Sequence, residues 1–201
     1  MRLLFLDTET TGLPTKRLTS PLEERGVWPD IVSIAWALYV NGVLCKKEYS
    51  VIQPDGWTIP ADSIRIHGIT MEHAASHGRP LAEMLELLSM DLATVDAVVA
   101  HNLEFDKNVV FNAYKWRLGL DPHRLWPKGD ICTMRNSEAE LKLPSAYPRP
   151  GRFKPPSLKE LYMDTFNTEP AEQHNSLKDV ELLCEIYWKR WPSGQRGLGC
   201  D

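Results

Sequence analysis

The sequence predicts an α/β domain in which a central mixed sheet, with its first three strands antiparallel, is flanked by helices. Residues 2–10 begin with a run of apolar side chains, and residues 31–40 and 43–52 are also strand-like. The dipeptide Asn41-Gly42 between the latter two segments favours a type I′ hairpin, so these strands are expected to be antiparallel. Downstream, helical spacing alternates with short apolar runs, which is typical of layered α/β folds.

Helices are expected after the hairpin. Residues 61–77 predict short helical pieces around a turn at residues 66–70. Pro80 opens a longer helix, because apolar side chains recur at helical spacing as far as Leu92. The short apolar run at residues 95–100 then predicts a fourth strand.

The alternation of helix and strand continues in the second half of the chain. Asn102 is placed to cap a helix that extends to about Leu118, and residues 131–134 predict another short strand. A capping-box pattern that begins at Ser157 and ends at Glu160 opens the next helix. Together these elements complete the expected mixed sheet and its helical layers.

Two segments near the C-terminus fall outside this pattern. Residues 137–156 contain five prolines, which indicates a loop or an insertion. Residues 193–201 are glycine-rich and are expected to form a flexible tail. We therefore expect a single domain at residues 1–192, and its last helix should end near Trp191, before a proline. The basic side chains of the proline-rich segment are Lys142, Arg149, Arg152 and Lys154.

The composition is that of a globular protein, and its charge is slightly acidic. The chain has 201 residues, 43% of them apolar, and a formal net charge of −4. A basic surface is the usual mark of a nucleic-acid-binding protein, so the charge alone argues against that class. Bound divalent cations would reverse the local charge, and the acidic balance is then compatible with a nucleic-acid-processing enzyme.

The cysteines and the N-terminus suggest a cytoplasmic protein. The four cysteines are widely spaced and include no Cys-x-x-Cys pair, so we expect buried free thiols in a reducing compartment. Only four consecutive apolar residues precede Asp7, which is too few for a signal peptide. The sequence also lacks an apolar run long enough to span a membrane, and no membrane association is expected.

Asp7 and Glu9 are the first candidates for chemistry. Residues two apart in a strand face the same side, about 6.6 Å apart along the backbone. Two carboxylates so placed would repel each other unless a cation lay between them, and acidic residues are depleted in strands. The alternative is that the strand ends at Leu6 and that both acids are solvated loop residues.

Three further candidates lie at helix starts. Asp106 falls in the first turn of a predicted helix, where an acid also simply stabilises the helix dipole. In one continuous helix, His174 and Asp179 would be about 140° apart, so they could not share a face. If Ser176 is the N-cap, His174 belongs to the preceding loop and can approach the first turn. The alternative is that Asp179 only completes a capping box and that His174 is a surface residue.

Three ordered motifs resemble those of the DEDDh 3′→5′ exonuclease superfamily, which includes the proofreading exonuclease subunit of bacterial DNA polymerase III. The resemblance spans about residues 2–190, and the turn at residues 66–70 and Asp130 match as well. It implies a ribonuclease H-like fold. The three motifs are residues 5–13 (FLDTETTGL), 100–106 (AHNLEFD) and 174–179 (HNSLKD).

The resemblance also assigns roles to residues. Asp7, Glu9, Asp106 and Asp179 match the metal-binding acids, and His174 matches the general base. The hard oxygen ligands favour two Mg²⁺ or Mn²⁺ ions over zinc. The positions expected to contact the substrate are Thr10, Gly12, Leu13, His101, Asn102 and Phe105.

The expected activity is therefore the release of nucleoside monophosphates from single-stranded or frayed 3′ ends, with DNA favoured over RNA. A 3′→5′ exoribonuclease is the main alternative. A phosphatase of the haloacid dehalogenase type, which also begins with a strand followed by Asp-x-acid-x-Thr, and a non-catalytic binding module are more remote. The expected partners are a DNA or RNA 3′ end and a polymerase or repair complex.

Overall fold

The computed structural model describes residues 1–146, 153–171 and 175–192. Five strands form one sheet. They are β1 (Arg2–Thr10), β2 (Ile31–Val40), β3 (Val43–Val51), β4 (Ala97–Ala100) and β5 (Gly129–Cys132). The helices are α1 (Ala61–His67), α2 (Met71–His77), α3 (Leu81–Leu92), α4 (Leu103–Leu118), α5 (Thr133–Leu141), α6 (Leu158–Phe166) and α7 (Ser176–Arg190), with a 3-10 turn at Pro122–Arg124.

The strand order is β3-β2-β1-β4-β5. β1 pairs with β2, and β2 with β3, in antiparallel orientation, whereas β4 is parallel to both of its neighbours. The predicted mixed sheet, with its first three strands antiparallel, is therefore confirmed. The hairpin prediction is confirmed as well, because Val40 pairs with Val43 and both turn residues, Asn41 and Gly42, have positive φ.

Alternate residues of β1 fill two separate cores. Leu4 and Leu6 pack in a cluster that includes apolar side chains of α3 and α4. Leu3 and Phe5 face the other way and pack in a cluster with side chains of α7. Because β1 is central and buried on both faces, helices α4 and α7 lie on opposite sides of the same strand. Any side chains at the end of β1 are thus within reach of both helices.

Two predicted strand boundaries were wrong. β4 begins at Ala97 and not at residue 95, because the backbone N–H groups of Thr94 and Val95 donate to carbonyls of the last turn of α3. β5 ends at Cys132, which pairs with the last residue of β4, Ala100. With no strand partner beyond that pair, Thr133 begins helix α5 and does not extend the strand.

The proline-rich loop begins later than expected. Helix α5 continues to Leu141, so residues 137–141 are helical and the irregular chain starts at Lys142, which caps the helix with positive φ. On the far side of the loop, Lys154 forms an ion pair with Glu160. The remaining basic positions, Arg149 and Arg152, lie outside the described residues, as does the predicted tail 193–201.

Two of the three predicted N-cap positions are confirmed. The capping box is present, with Glu160 N–H donating to Ser157 Oγ and Ser157 N–H donating to the Glu160 carboxylate. Asn102 occupies the N-cap of α4 but has φ 70° and makes no side-chain capping bond. The last helix is capped by Asn175, and Ser176 is its first residue, because the buried Ser176 hydroxyl contacts Ser33 Oγ at 2.9 Å.

The described cysteines are all free thiols, but only Cys184 is buried. Cys45 is exposed on the edge strand β3, so the expectation of uniformly buried thiols was wrong for it. Position 200 lies outside the described residues. Among the helices described, none has both the length and the apolar character needed to cross a lipid bilayer.

Candidate active site

β1 carries Asp7 and Glu9 on one face. The strand continues to Thr10, so the alternative in which it ends at Leu6 is wrong. As odd-numbered residues, both acids face the side on which Leu3 and Phe5 contact α7. The sheet therefore directs two carboxylates towards the N-terminal end of that helix.

Asp179 joins these two acids from the first turn of α7. One carboxylate oxygen from each of Asp7, Glu9 and Asp179 lies within 4.8 Å of the others. All three side chains are partly buried. The group is close enough for one cation to contact three carboxylates, and the two sequence motifs that supply it are separated by about 170 residues in the chain.

Asp106 approaches from the opposite side of the sheet. It is the fourth residue of α4 and is 3% exposed. Its Oδ1 accepts a hydrogen bond from Thr8 N at 3.0 Å and another from Thr8 Oγ1 at 2.8 Å. Thr8 lies between the two acids of β1, so these bonds tie Asp106 to the acidic strand. Asp106 is thus close to the three-residue group, and the metal-binding role of the four acids stays a prediction.

The carboxylates are held in conditions that disfavour their charged forms. Burial, followed by the charges of Asp106, Asp179 and Glu9, raises the pKa of Asp7 well above its usual range. Burial, followed by the charges of Asp179 and Asp106, raises the pKa of Glu9 to about 7. Burial also raises the pKa of Asp106 to about 7, against the opposing effect of the Thr8 hydrogen bonds. Within the described ranges, no ion pair includes Asp7, Glu9 or Asp106.

This arrangement fits divalent cations. Clustered carboxylates repel one another, and a bound cation would remove that repulsion. Carboxylate oxygens are hard ligands, which suits Mg²⁺ and Mn²⁺. The residues that could hold such ions are Asp7, Glu9 and Asp179 as one group, with Asp106 next to them.

The segment after β1 was predicted to form the mouth of the site. Thr10 is buried, and its hydroxyl donates to the Gly12 carbonyl at 2.7 Å, which closes a tight local turn. Gly12 has φ 146°, a conformation that disfavours other residues, and open space surrounds the position of a Cβ atom. Leu13 is 66% exposed. Its side chain is available to contact a ligand, and its place at the carboxylate site stays a prediction.

The three predicted contact residues around α4 have different environments. His101 is engaged on both ring nitrogens, by Thr133 Oγ1 at 3.0 Å and the Pro156 carbonyl at 2.9 Å. Phe105 packs against Trp28, with a ring-centroid distance of 6.2 Å. Asn102 is exposed. His101 and Phe105 thus have structural contacts of their own, and their role in substrate binding stays a prediction.

His174 lies outside the described residues, so its role as general base also stays a prediction. Three residues near the acids were not expected from the sequence, namely Thr8, Tyr49 and Asn175. Burial raises the pKa of Tyr49, with a hydrogen bond from Asn175 opposing it and the charge of Glu9 adding to it. Strand register brings Tyr49 to this position, and no local pattern in the sequence could have indicated it.

Sequence comparison identifies a family. The exonuclease family model RNase_T matches residues 4–187. DNA polymerase III PolC-type from Listeria welshimeri is 26% identical over 187 residues, which cover 91% of this chain and 11% of that protein. The protein of the same name from Listeria monocytogenes is 25% identical over the same length. This chain therefore spans only 11% of the length of these curated relatives.

Solved structures show the same fold. A zinc-bound complex of Escherichia coli exonuclease I with single-stranded DNA superimposes with a TM-score of 0.72 at 19% identity, covering 96% of this chain and 41% of that one. Exonuclease X in complex with 5′-overhanging duplex DNA gives a TM-score of 0.56 at 25% identity, covering 92% and 90%. The predicted fold and the family resemblance are both confirmed. Because the family model covers most of its length, the chain belongs to the RNase_T exonuclease family.

Proposed function

We propose that this protein is a metal-dependent 3′→5′ exonuclease that releases nucleoside monophosphates from nucleic-acid 3′ ends. The observation that carries this proposal is the group formed by Asp7, Glu9 and Asp179, with oxygens within 4.8 Å of one another and Asp106 beside it. Family membership supports the reaction class, and the match over residues 4–187 gives no support to a haloacid dehalogenase-type phosphatase.

The cations proposed are two Mg²⁺ or Mn²⁺ ions. Asp7, Glu9 and Asp179 would hold one ion, and by the family resemblance Asp7 and Asp106 would hold the other. When bound, such ions activate water, neutralise phosphate charge and stabilise the leaving oxygen. Raised carboxylate pKa values support this assignment, because a cation is what these residues need in order to be charged together near neutral pH.

The chain's own residues would perform the remaining tasks. His174 would accept the proton of the attacking water, since an unperturbed histidine titrates near neutral pH. Leu13 would contact the terminal base, and its exposure supports that role. Gly12 would permit a close approach of the substrate backbone, and the open space around it supports this.

We propose DNA, single-stranded or frayed, as the substrate. Exonuclease X was solved with 5′-overhanging duplex DNA, and the PolC-type relatives are named as DNA polymerases. We also propose association with a polymerase or repair complex and a cytoplasmic location. The names of the PolC-type relatives support the polymerase as a partner. An exoribonuclease remains the alternative outcome of the test, because only contacts to the 2′-hydroxyl separate the two substrates.

The decisive experiment uses matched DNA and RNA oligonucleotides carrying a 5′ label, each incubated with Mg²⁺, with Mn²⁺ and with EDTA. We expect stepwise shortening of DNA from the 3′ end with either cation and none with EDTA. Asp7→Asn should abolish the shortening. Intact oligonucleotides in every reaction, with binding retained, would instead identify a non-catalytic binding module.

A matched control is available on α3. Glu86 is an exposed acid whose helix lies in the core layer away from α7, so Glu86→Gln should degrade DNA like the wild type. Glu9→Gln makes the same chemical change inside the site and should lose activity. Equal activity of the two variants would rule out the proposed metal site.

A further inference from the structure

We propose that Thr8 is a positioning residue that orients the Asp106 carboxylate for metal binding, an inference that rests on the proposed function. Thr8 lies between Asp7 and Glu9 but faces the opposite side of the sheet, and it is 7% exposed. Its backbone N–H and its hydroxyl both donate to the same oxygen, Oδ1 of Asp106. Two donors on one oxygen fix the rotation of the carboxylate.

The backbone donor is available because β4 is short. β4 pairs with β1 only at Leu3, Leu4 and Phe5, so the remainder of β1 has no strand on that side. N–H groups of alternate residues point to the same edge of a strand, and Thr8 therefore presents its N–H at the uncovered edge. Asp106 fills the position that an acceptor from a longer β4 would otherwise occupy.

A second aspartate accepts a backbone N–H at the other end of this edge of β1. Arg2, at the start of β1, donates its backbone N–H to Oδ2 of Asp96 at 2.7 Å. Aspartate side chains thus accept backbone N–H groups of β1 before and after the three residues that pair with β4. Only at Thr8 does a side-chain donor reinforce the backbone bond, and that end carries the acids.

The hydroxyl contributes orientation that the backbone alone cannot supply. Both Thr8 bonds reach Oδ1, so Oδ2 receives neither and is left to serve as the metal-binding oxygen. Threonine is β-branched and stiff at χ1, which keeps the hydroxyl directed at Asp106. Removing it leaves only backbone donors to hold the carboxylate. The loss should appear in metal affinity before it appears in folding.

The test compares Thr8→Val, which removes the hydroxyl at nearly constant shape, with Thr8→Ser, which retains it. Tyr114→Phe is the matched control, because it removes a buried hydroxyl from the same helix as Asp106, one that contacts Ser89 Oγ and the Leu85 carbonyl. Mn²⁺ binding is measured by calorimetry, and the Mn²⁺ concentration for half-maximal activity, kcat, KM and thermal unfolding are measured alongside.

We expect Thr8→Val to weaken Mn²⁺ binding by roughly tenfold and to raise the Mn²⁺ requirement by a similar factor, with KM for DNA little changed. Thr8→Ser should stay within about threefold of wild type, and Tyr114→Phe should lose thermal stability without losing Mn²⁺ affinity. Unchanged Mn²⁺ affinity in folded Thr8→Val would overturn the proposal. The calorimetry stands even for a wild type that shortens no oligonucleotide, so failure of the proposed function is distinguished from failure of the positioning role.

Discussion

The imidazole of His101 joins two segments that are distant in sequence, because its Nε2 donates to the Pro156 carbonyl at 2.9 Å while Nδ1 accepts from the Thr133 hydroxyl at 3.0 Å. A carbonyl can only accept, so the Pro156 contact determines which nitrogen carries the proton. Burial lowers the pKa of His101 to about 4, and the ring is neutral at neutral pH. His101 thereby fastens the end of the proline-rich loop to the start of α5.

The first prediction concerns this contact. His101→Ala should destabilise the fold by about 1–3 kcal/mol near neutral pH, because the buried Pro156 carbonyl loses its imidazole donor and the Thr133 hydroxyl loses its imidazole acceptor. His73→Ala, on an exposed face of α2, should change stability by less than about 0.5 kcal/mol. Urea unfolding followed by fluorescence measures both. An equal, small effect of the two substitutions would contradict the anchoring role.

The loss of stability caused by His101→Ala should also depend on pH. The unfolded chain protonates His101 below about pH 6.5, whereas the native ring stays neutral until about pH 4, so this group costs native stability as the pH falls through that window. The alanine variant lacks this loss. The difference in unfolding free energy between wild type and His101→Ala should therefore shrink on acidification, and a difference that grew would be inconsistent with a neutral buried ring.

The second prediction concerns Glu9 in the metal-free protein, where native stability is lost as the pH rises and not as it falls. The pKa of Glu9 is raised to about 7, so the native state keeps the proton after the unfolded chain has released it, above about pH 4.3. Native stability from this group is full below that pH and is lost as the pH rises through about 7. Glu9→Gln removes the loss.

Glu9→Gln should therefore unfold at a higher temperature than wild type near pH 8 in EDTA, by about 2–4 °C for each kcal/mol recovered. The two proteins should converge well below about pH 4.3, where the glutamate is protonated in both states. Scanning calorimetry across this range gives the comparison, with Glu86→Gln as the exposed control. A stabilisation that did not vary with pH would mean that carboxylate repulsion is not its source.

The third prediction concerns divalent cations. Mn²⁺ or Mg²⁺ should raise the unfolding temperature, by an amount equivalent to about 2.7 kcal/mol when the ion is at 100 times its dissociation constant. Binding requires deprotonated carboxylates, so the effect should fade as the pH falls below the raised pKa values of Glu9 and Asp106. EDTA should reverse it. Asp179→Asn should lose most of the stabilisation, and retention of the full shift would exclude Asp179 as a ligand.

The fourth prediction concerns Leu13. Leu13→Ala should lower kcat/KM on DNA by about 10-fold, the value of one lost apolar contact of about 1.4 kcal/mol, while leaving stability unchanged because the side chain is 66% exposed. Leu18 lies in the same connecting segment and is fully exposed, so Leu18→Ala is the control. Equal kcat/KM values for the two variants would show that Leu13 does not contact the substrate.

The fifth prediction concerns His174. His174→Ala should retain DNA binding but lose turnover by about 10²–10⁴-fold, the usual contribution of a general base. Single-turnover hydrolysis and fluorescence anisotropy with a labelled oligonucleotide separate the two properties. Hydrolysis at the wild-type rate would show that another group accepts the proton.

Much of the fold could be predicted because the signals are local. The Asn41-Gly42 hairpin and the capping box at Ser157 each depend on a few adjacent residues and were confirmed. Boundaries that depend on a distant partner were predicted less well. β5 stops at Cys132 because β4 ends opposite it, and Asn175 caps α7 because Ser176 is held by Ser33.

The sequence by itself predicted the four acids, the order of their motifs and the mixed sheet that carries them, because residue type and hydrophobic periodicity can be read from short segments. Only the tertiary structure decided how the acids are arranged. β4 pairs with only three residues of β1, so the Thr8 N–H has no strand partner and donates to Asp106 instead. Tyr49 lies near Glu9 because of strand register. Such contacts depend on relative strand lengths and on helices that pack on opposite faces, which no single segment encodes.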